Sequence, residues 1–154
     1  MLTIIKDYSI EDVKRELKRL KEEGCRSPEV RSLALEIIRN SESRVESIFD
    51  FVKQNVRYVP DPNQTELFIH PKRMVSLYRQ GSAAGDCDDH SLFTASLLCS
   101  IGHETRILIL DIQGEGYDHA IAQVFTDNNW LNLDTTSKFP LGWEEKYCSR
   151  IIIG

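Results

Sequence analysis

The sequence lacks long apolar runs, low-complexity stretches, internal repeats and an excess of basic residues. No run approaches the ~18 apolar residues that cross a membrane. The 154 residues carry a formal charge of −5, and their 19 Lys and Arg form no basic stripe, which argues against a nucleic-acid partner. Membrane proteins and nucleic-acid-binding proteins are therefore excluded as first hypotheses.

Clustered cysteines are also missing. The four cysteines are widely spaced and form no C-x-x-C pair: Cys25, Cys87, Cys99 and Cys148. A chain of this length buries enough core to fold without disulfides, so reduced thiols are expected. Cys99 lies on the apolar stripe of a predicted helix, which favours a buried small hydrophobe. The apolar run in residues 1–6 is too short for a signal peptide, and together these features predict a cytoplasmic protein.

No linker-like segment interrupts the chain, which predicts one domain over residues 1–154, with an N-terminal helical part at 1–44. Start and stop signals predict three leading helices: one from Ser9 to Gly24, one opening at Ser27-Pro28 and one from about Ser43. Prolines then predict an irregular connection over residues 58–63, followed by a short helix between Pro71 and Gln80.

The apolar period changes after Gly102 from helical to strand-like. Strands are predicted at residues 106–110, 119–125 and 130–134, with turns at 114–116 and 127–129. This order describes an antiparallel meander that follows the helices. The predicted fold class is α+β.

Cys87 lies where a helix should begin, within Gly85-Asp86-Cys87-Asp88-Asp89-His90-Ser91 and directly before an apolar helical pattern. Free N–H groups and the helix dipole favour an anion at that position, so a thiolate should form readily. Asp86, Asp88 and Asp89 oppose this as like charges, but the helix end and an imidazolium partner should outweigh them. The thiol is therefore predicted to have a pKa below ~8.5.

Two later residues can assist that thiol. If Asp127-Asn128 is a two-residue hairpin loop, Asp134 lies opposite Ile121, and His119 and Asp134 share one face of the hairpin. As diagonal neighbours they would lie ~7 to 8 Å apart by backbone, which a His–Asp hydrogen bond can span. Cys87, His119 and Asp134 then supply a nucleophile, a base and a group that orients the base.

Two rival interpretations involve the same segment. Asp86, Cys87, Asp89 and His90 are all potential metal ligands, but on one helical turn they cannot all converge on one ion, so no metal is predicted. His90 is three residues from Cys87 and is an alternative base. It has no obvious orienting partner, so His119 is preferred.

These segments resemble the transglutaminase-like superfamily. The resemblance rests on Gly85 to Ser91, Gly102-His-Glu-Thr-Arg106, Asp118-His119-Ala120 and Trp130 to Asp134, with Ile48 to Tyr58 and Asp61 upstream. It covers about residues 45–136. It implies a papain-like α+β fold whose nucleophile helix packs on an antiparallel sheet, with Cys87 as nucleophile, His119 as general base and Asp134 as orienting acid.

The resemblance also implies an activity: acyl transfer or hydrolysis at a peptide or amide bond, of a glutamine or isopeptide type, through a Cys87 thioester. It implies a protein or peptide substrate, no cofactor, and a compact bacterial or phage type for which hydrolysis is favoured over cross-linking. The backbone N–H of Cys87 and a second donor would hold the oxyanion. Both tryptophans follow Cys87, so Gln54 is the candidate second donor. The alternative is a non-catalytic binding or assembly module on the same scaffold.

Overall fold

The computed structural model describes residues 2–6, 9–62 and 65–154. Met1 and Asn63, which belong to two of the segments interpreted above, lie outside these ranges. The described residues form five helices: α1 (Ile10–Arg26), α2 (Pro28–Ile38), α3 (Arg44–Asn55), α4 (Pro71–Arg79) and α5 (Cys87–Ser100).

The predicted helix starts are confirmed, because each has a side chain that caps free backbone N–H groups. Ser9 and Asp12 form a capping box at α1, while Ser27 and Ser43 cap α2 and α3. His70 caps α4 by accepting a hydrogen bond at Nδ1 from the Lys72 N–H at 3.0 Å. Local sequence signals therefore define where the helices begin.

Helix α1 does not end at Gly24, as predicted, but continues to Arg26. Gly24 serves a different purpose: a Cβ at this position would lie 2.4 Å from Oγ of Ser96 in α5, so only glycine permits this close approach of the two helices. At the same crossing Cys25 and Cys99 form a disulfide with a Cα–Cα distance of 5.3 Å. The expectation of reduced thiols, and of Cys99 as a simple buried hydrophobe, is therefore wrong for this pair.

Eight strands complete the described residues: β1 (Leu2–Lys6), β2 (Arg57–Tyr58), β3 (Thr65–Ile69), β4 (Ala84–Gly85), β5 (Thr105–Asp111), β6 (His119–Thr126), β7 (Asn129–Leu133) and β8 (Ser149–Ile153). β1 pairs with β3 antiparallel, and β2 pairs with β4 in parallel. The larger sheet is antiparallel in the order β7-β6-β5-β8. Of these strands, the periodicity of the sequence predicted β5, β6 and β7.

The hairpin register predicted from the sequence is confirmed. Ala122 lies opposite Leu133, and Asp127 and Asn128 form the turn with φ values of 51° and 64°. Both values are typical of a two-residue hairpin turn whose twist matches the strands. The sequence therefore specified which residues share a face of this hairpin.

Helix α5 is central to the fold. It packs against the other four helices and against β5 and β6, and its residues from Asp88 to Leu98 are all buried. Ala122, Val124 and Leu133 of the sheet belong to the same apolar core. This arrangement confirms the α+β class with a nucleophile helix on an antiparallel sheet. Among the helices within the described ranges, none combines the length and hydropathy needed to cross a bilayer.

Candidate active site

Cys87 is the first residue of α5, and its position is fixed by a carboxylate capping box. Oδ1 of Asp86 accepts hydrogen bonds from the N–H groups of Asp88 and Asp89 at 3.1 and 3.3 Å. Oδ2 of Asp89 accepts from the Asp86 N–H at 3.2 Å, and its Oδ1 accepts from the Ile69 N–H of β3 at 2.9 Å. Asp89 therefore fastens the start of the nucleophile helix to a neighbouring strand.

His119 and Asp134 meet as the hairpin register predicts. Nε2 of His119 lies 2.8 Å from Oδ2 of Asp134. The other carboxylate oxygen accepts hydrogen bonds from the backbone N–H and the hydroxyl of Thr136, at 3.0 and 2.8 Å. Asp134 is thus held by Thr136 while it binds the ring, which leaves Nδ1 of His119 as the nitrogen available to a reacting group.

The two partners shift each other's pKa. Burial lowers the pKa of His119, but the hydrogen bond and charge of Asp134, with Glu145 and Asp118, outweigh it, so the net pKa lies above 6.5. Burial raises the pKa of Asp134, but His119 and the Thr136 donors outweigh it and hold that pKa below 3.8. The pair therefore favours an ionised carboxylate beside a basic imidazole.

Cys87 and His119 line the same cavity, which has a volume of about 340 Å³. No hydrogen bond joins the two side chains among the described residues, although the backbone N–H of Ala120, next to His119, lies close enough to lower the thiol pKa. Separations of this kind are common in unliganded active sites and close when substrate binds. The structure therefore brings the three candidate residues together and joins two of them directly.

The predicted low pKa of the Cys87 thiol is wrong. Burial raises this pKa well above its ordinary value, and the charges of Asp88 and Asp86 raise it further. The thiol is therefore protonated at neutral pH, and its proton must leave during the attack.

This protonation state predicts how Cys87 responds to pH. With Cys148 replaced by serine, the alkylation rate of Cys87 by iodoacetamide should be low at pH 7 and rise about tenfold per pH unit up to at least pH 9, because only the thiolate reacts. The rate can be followed by mass spectrometry, with Cys87→Ser as the blank. A plateau below pH 8.5 would show a preformed thiolate and contradict the effect of burial.

Two acidic residues at this site were given no role from the sequence: Asp61, which was noted only as part of the upstream resemblance, and Glu66. Carboxylate oxygens of Asp61, Asp86 and Asp89 lie within 4.8 Å of one another, as do those of Glu66, Asp86 and Asp88. Oxygen ligands at this spacing could hold a hard cation. These groups differ from the ligand set considered from sequence, because Cys87 and His90 are absent from both.

The carboxyl groups can also share protons. Burial, followed by the charge of Asp88, raises the pKa of Glu66 to about 10 and that of Asp86 to about 9. Like charges this close cannot all ionise, so part of the cluster is neutral at pH 7. The acid cluster therefore has less negative charge than its composition indicates, and protonation alone can relieve the repulsion between its carboxyl groups without a bound cation.

Tyr58 is a further residue that sequence reasoning did not single out for this site. β2 places it opposite Gly85 of β4, and its side chain lines the cavity of Cys87 and His119. Burial, together with the charges of Cys87 and Asp86, raises the pKa of its phenol. The hydroxyl thus remains a hydrogen-bond donor.

Gln54 and His90 lie elsewhere. Gln54 is exposed on α3 and lines a different cavity, of about 830 Å³, which Cys87 does not reach. The structure therefore does not bring this candidate oxyanion donor to the thiol. His90 is buried, with Nδ1 2.8 Å from Oγ1 of Thr135, and burial lowers its pKa to about 4. Within the described residues, His90 has no carboxylate hydrogen-bond partner of the kind that His119 has.

Comparison with known sequences identifies one family. Residues 31–135 match the transglutaminase-like superfamily. This range contains Cys87, His119 and Asp134, and it begins within α2, upstream of the segment that carried the resemblance in the sequence. No curated protein sequence matches the chain.

Three solved structures share the fold at low identity. A candidate cysteine protease from Cytophaga hutchinsonii superposes with a TM-score of 0.59 at 17% identity, over 99% of this chain and 58% of that one. A candidate protease from Parabacteroides distasonis gives 0.56 at 16% identity, over 82% and 26%. A structure described as a TGase gives 0.51 at 15% identity, over 93% and 37%. The chain thus spans a quarter to three-fifths of the length of these proteins.

Proposed function

The chain belongs to the transglutaminase-like superfamily, and from that membership we propose that it is a thiol-dependent enzyme that breaks peptide or amide bonds through a thioester on Cys87. The observation that carries the proposal is the 2.8 Å contact between His119 and Asp134 beside a cavity that Cys87 also lines. A histidine whose pKa is raised by a carboxylate and that lies beside a thiol in a cavity is the arrangement that general-base catalysis requires.

In the proposed reaction His119 acts as a general base from the start. Because the Cys87 thiol is protonated, Nδ1 of His119 removes its proton as the sulfur attacks the carbonyl carbon. Asp134 stabilises the imidazolium that forms. His119 then gives this proton to the leaving amine, and a thioester remains on Cys87. Water, activated by the same ring, hydrolyses the thioester and restores the thiol.

Two donors are proposed for the oxyanion. The backbone N–H of Cys87 is in the first turn of α5 and so has no intrahelical acceptor. Tyr58 lines the same cavity, and its hydroxyl replaces Gln54 as the proposed second donor. Donors aimed at the developing charge supply much of the rate enhancement in acyl transfer.

The proposal favours hydrolysis over cross-linking and treats a non-catalytic binding or assembly module as the alternative.

The structure also bears on the compartment in which the protein works. The Cys25–Cys99 disulfide argues against the expected cytoplasmic location, because such bonds persist mainly in oxidising compartments.

A thioester trapping experiment tests the proposed function. The protein is incubated with a library of peptides that contain amide, glutamine and isopeptide bonds, quenched in acid, and examined by intact-mass spectrometry. We expect a mass increase located on Cys87 that disappears on treatment with hydroxylamine and is missing in Cys87→Ala. Cys148→Ser is the matched control, since it removes the other free thiol and should leave the adduct unchanged. Release of cleaved peptide without any Cys87 adduct, or equal activity in Cys87→Ala, would contradict the proposal.

A further inference from the structure

A second and larger cleft adjoins the cavity of Cys87. It has a volume of about 830 Å³ and shares the side chain of Tyr58 with that cavity. Three cationic side chains line it, Lys53, Arg57 and Lys138, and none of its lining residues is an aspartate or glutamate. The absence of acids is informative in a chain with 24 Asp and Glu. We call this the cationic cleft.

The three cations have no carboxylate partner among the described residues. Arg57 and Lys138 are exposed, and the eight ion pairs found within those residues include neither of them nor Lys53. Lys53 donates a hydrogen bond to the Phe139 carbonyl at 2.7 Å, which anchors its ammonium group without neutralising it. Positive charge in this cleft is therefore available to a ligand.

His90 adds a polar side chain to the wall of the cationic cleft. It lines the cationic cleft and is 2% exposed, and its buried Nε2 makes no hydrogen bond of normal geometry in the described part of the chain, although the Arg57 backbone lies close enough to raise the His90 pKa. Nδ1 already contacts Oγ1 of Thr135 at 2.8 Å. Buried polar atoms are nearly always hydrogen-bonded in folded proteins, so this incompletely paired ring nitrogen at the wall of the cationic cleft favours a polar group beside it.

The neighbouring cavity has the opposite character. Asp61, Glu66, Asp86, Asp88 and Asp118 line the cavity of Cys87, and no lysine or arginine does. A substrate that extends across Tyr58 would therefore pass from an acidic to a basic environment. Charge complementarity of this kind selects one sequence and one orientation of an extended ligand.

We propose that the cationic cleft binds the carboxylate groups of an acidic peptide segment of the substrate, while the bond to be broken lies beside Cys87. This inference rests on the proposed function and names its substrate class. Arg57 offers a planar fork that matches a carboxylate, and Lys53 and Lys138 add charge. Thr135 and Ser137 also line the cleft and add hydroxyl groups to its wall.

Direct binding tests the cleft without requiring turnover. The Cys87→Ala protein, labelled with ¹⁵N, is titrated at low salt with acetyl-Ala-Glu-Glu-Ala-amide and with the uncharged acetyl-Ala-Gln-Gln-Ala-amide. We expect the acidic peptide to bind at least about fivefold more tightly, since charge-assisted hydrogen bonds to carboxylates replace neutral ones. The preference should weaken with added salt, and the shifts should include the amides of Thr135 and Ser137 and the His90 side chain.

Matched variants locate the site. Arg57→Gln and Lys138→Gln, added to Cys87→Ala, should each reduce the preference for the acidic peptide, while Arg31→Gln and Lys18→Gln remove equally exposed charges outside the cleft and should not. Equal affinity for the two peptides, or loss of preference in the control variants as well, would overturn the proposal. Inorganic phosphate is titrated in parallel: if phosphate shifts these resonances and the acidic peptide does not, the cleft binds a free anion and the substrate assignment fails.

The outcome is separable from that of the proposed function. Thioester formation on Cys87 is scored by mass, whereas the cleft is scored by binding to a protein that lacks the thiol. Binding of the acidic peptide without any thioester in the parent protein would leave the cationic cleft standing and remove the enzyme. A thioester on Cys87 without a preference for the acidic peptide would support the proposed enzyme and overturn the proposal for the cationic cleft.

Discussion

Replacing His119 with alanine should lower the rate of thioester formation on Cys87 by at least about 1000-fold, within the range reported for loss of a general base. The effect should be large because burial and the carboxyls of Asp88 and Asp86 raise the thiol pKa, so that little thiolate exists at pH 7 without a base. If the thiolate were already formed, His119→Ala would not affect deprotonation of the thiol and would mainly slow protonation of the leaving amine.

Asp134→Asn gives an independent measure of the same pair. The amide retains the shape that Thr136 binds but removes the charge that raises the His119 pKa, so we expect a loss of about 100-fold or more. Single-turnover rates should be compared with those of His103→Gln, which changes a histidine in the turn after α5.

A His119→Ala rate within tenfold of the parent rate, together with a large loss in His90→Ala, would transfer the role of base to His90.

Short-range rules account for what the sequence predicted well. Capping residues fixed the helix starts, including Asp86 before Cys87, because a cap is a contact between residues two or three positions apart. The two-residue turn at Asp127-Asn128 set the register that joins His119 to Asp134. Each of these predictions used only residues close together in the sequence and the alternation of side chains along a strand or helix.

Long-range packing accounts for what the sequence did not reveal. Asp61 and Glu66 reach the acid cluster because the chain near β3 passes the start of α5, where Asp89 binds the Ile69 N–H. No periodicity encodes that approach. The thiol pKa was predicted in the wrong direction for the same reason, since burial dominates it and burial at one helix end depends on the whole fold.

The glycine at position 24 and the cysteine beside it illustrate the same limit. A glycine within a helical pattern predicts a helix end when only the sequence is considered, but here it is required by the side chain of Ser96. Cys25 and Cys99 are 74 positions apart, and neither spacing nor composition indicated that they pair. Both features belong to one contact between α1 and α5.

This contact predicts a large loss of stability when the disulfide is removed. The bond closes a loop with a sequence separation of 74 residues, and the chain-entropy relation gives about 4 kcal/mol for a loop of that length. For a chain of this size, that corresponds to a fall in Tm of about 10 °C. The double variant Cys25→Ser/Cys99→Ser should show this fall by calorimetry, and reduction of the parent protein should reproduce it.

Two controls define the result. Cys148→Ser removes an exposed free thiol and should leave Tm unchanged, and thiol titration in denaturant should count two free thiols before reduction, Cys87 and Cys148. Four free thiols without reduction would show that Cys25 and Cys99 are not bonded.

Because α5 carries Cys87 at its opposite end, the double variant should also be assayed for thioester formation well below its Tm. We expect a rate close to that of the parent protein there, since the capping box of Asp86 and Asp89 holds the start of α5 independently of the disulfide.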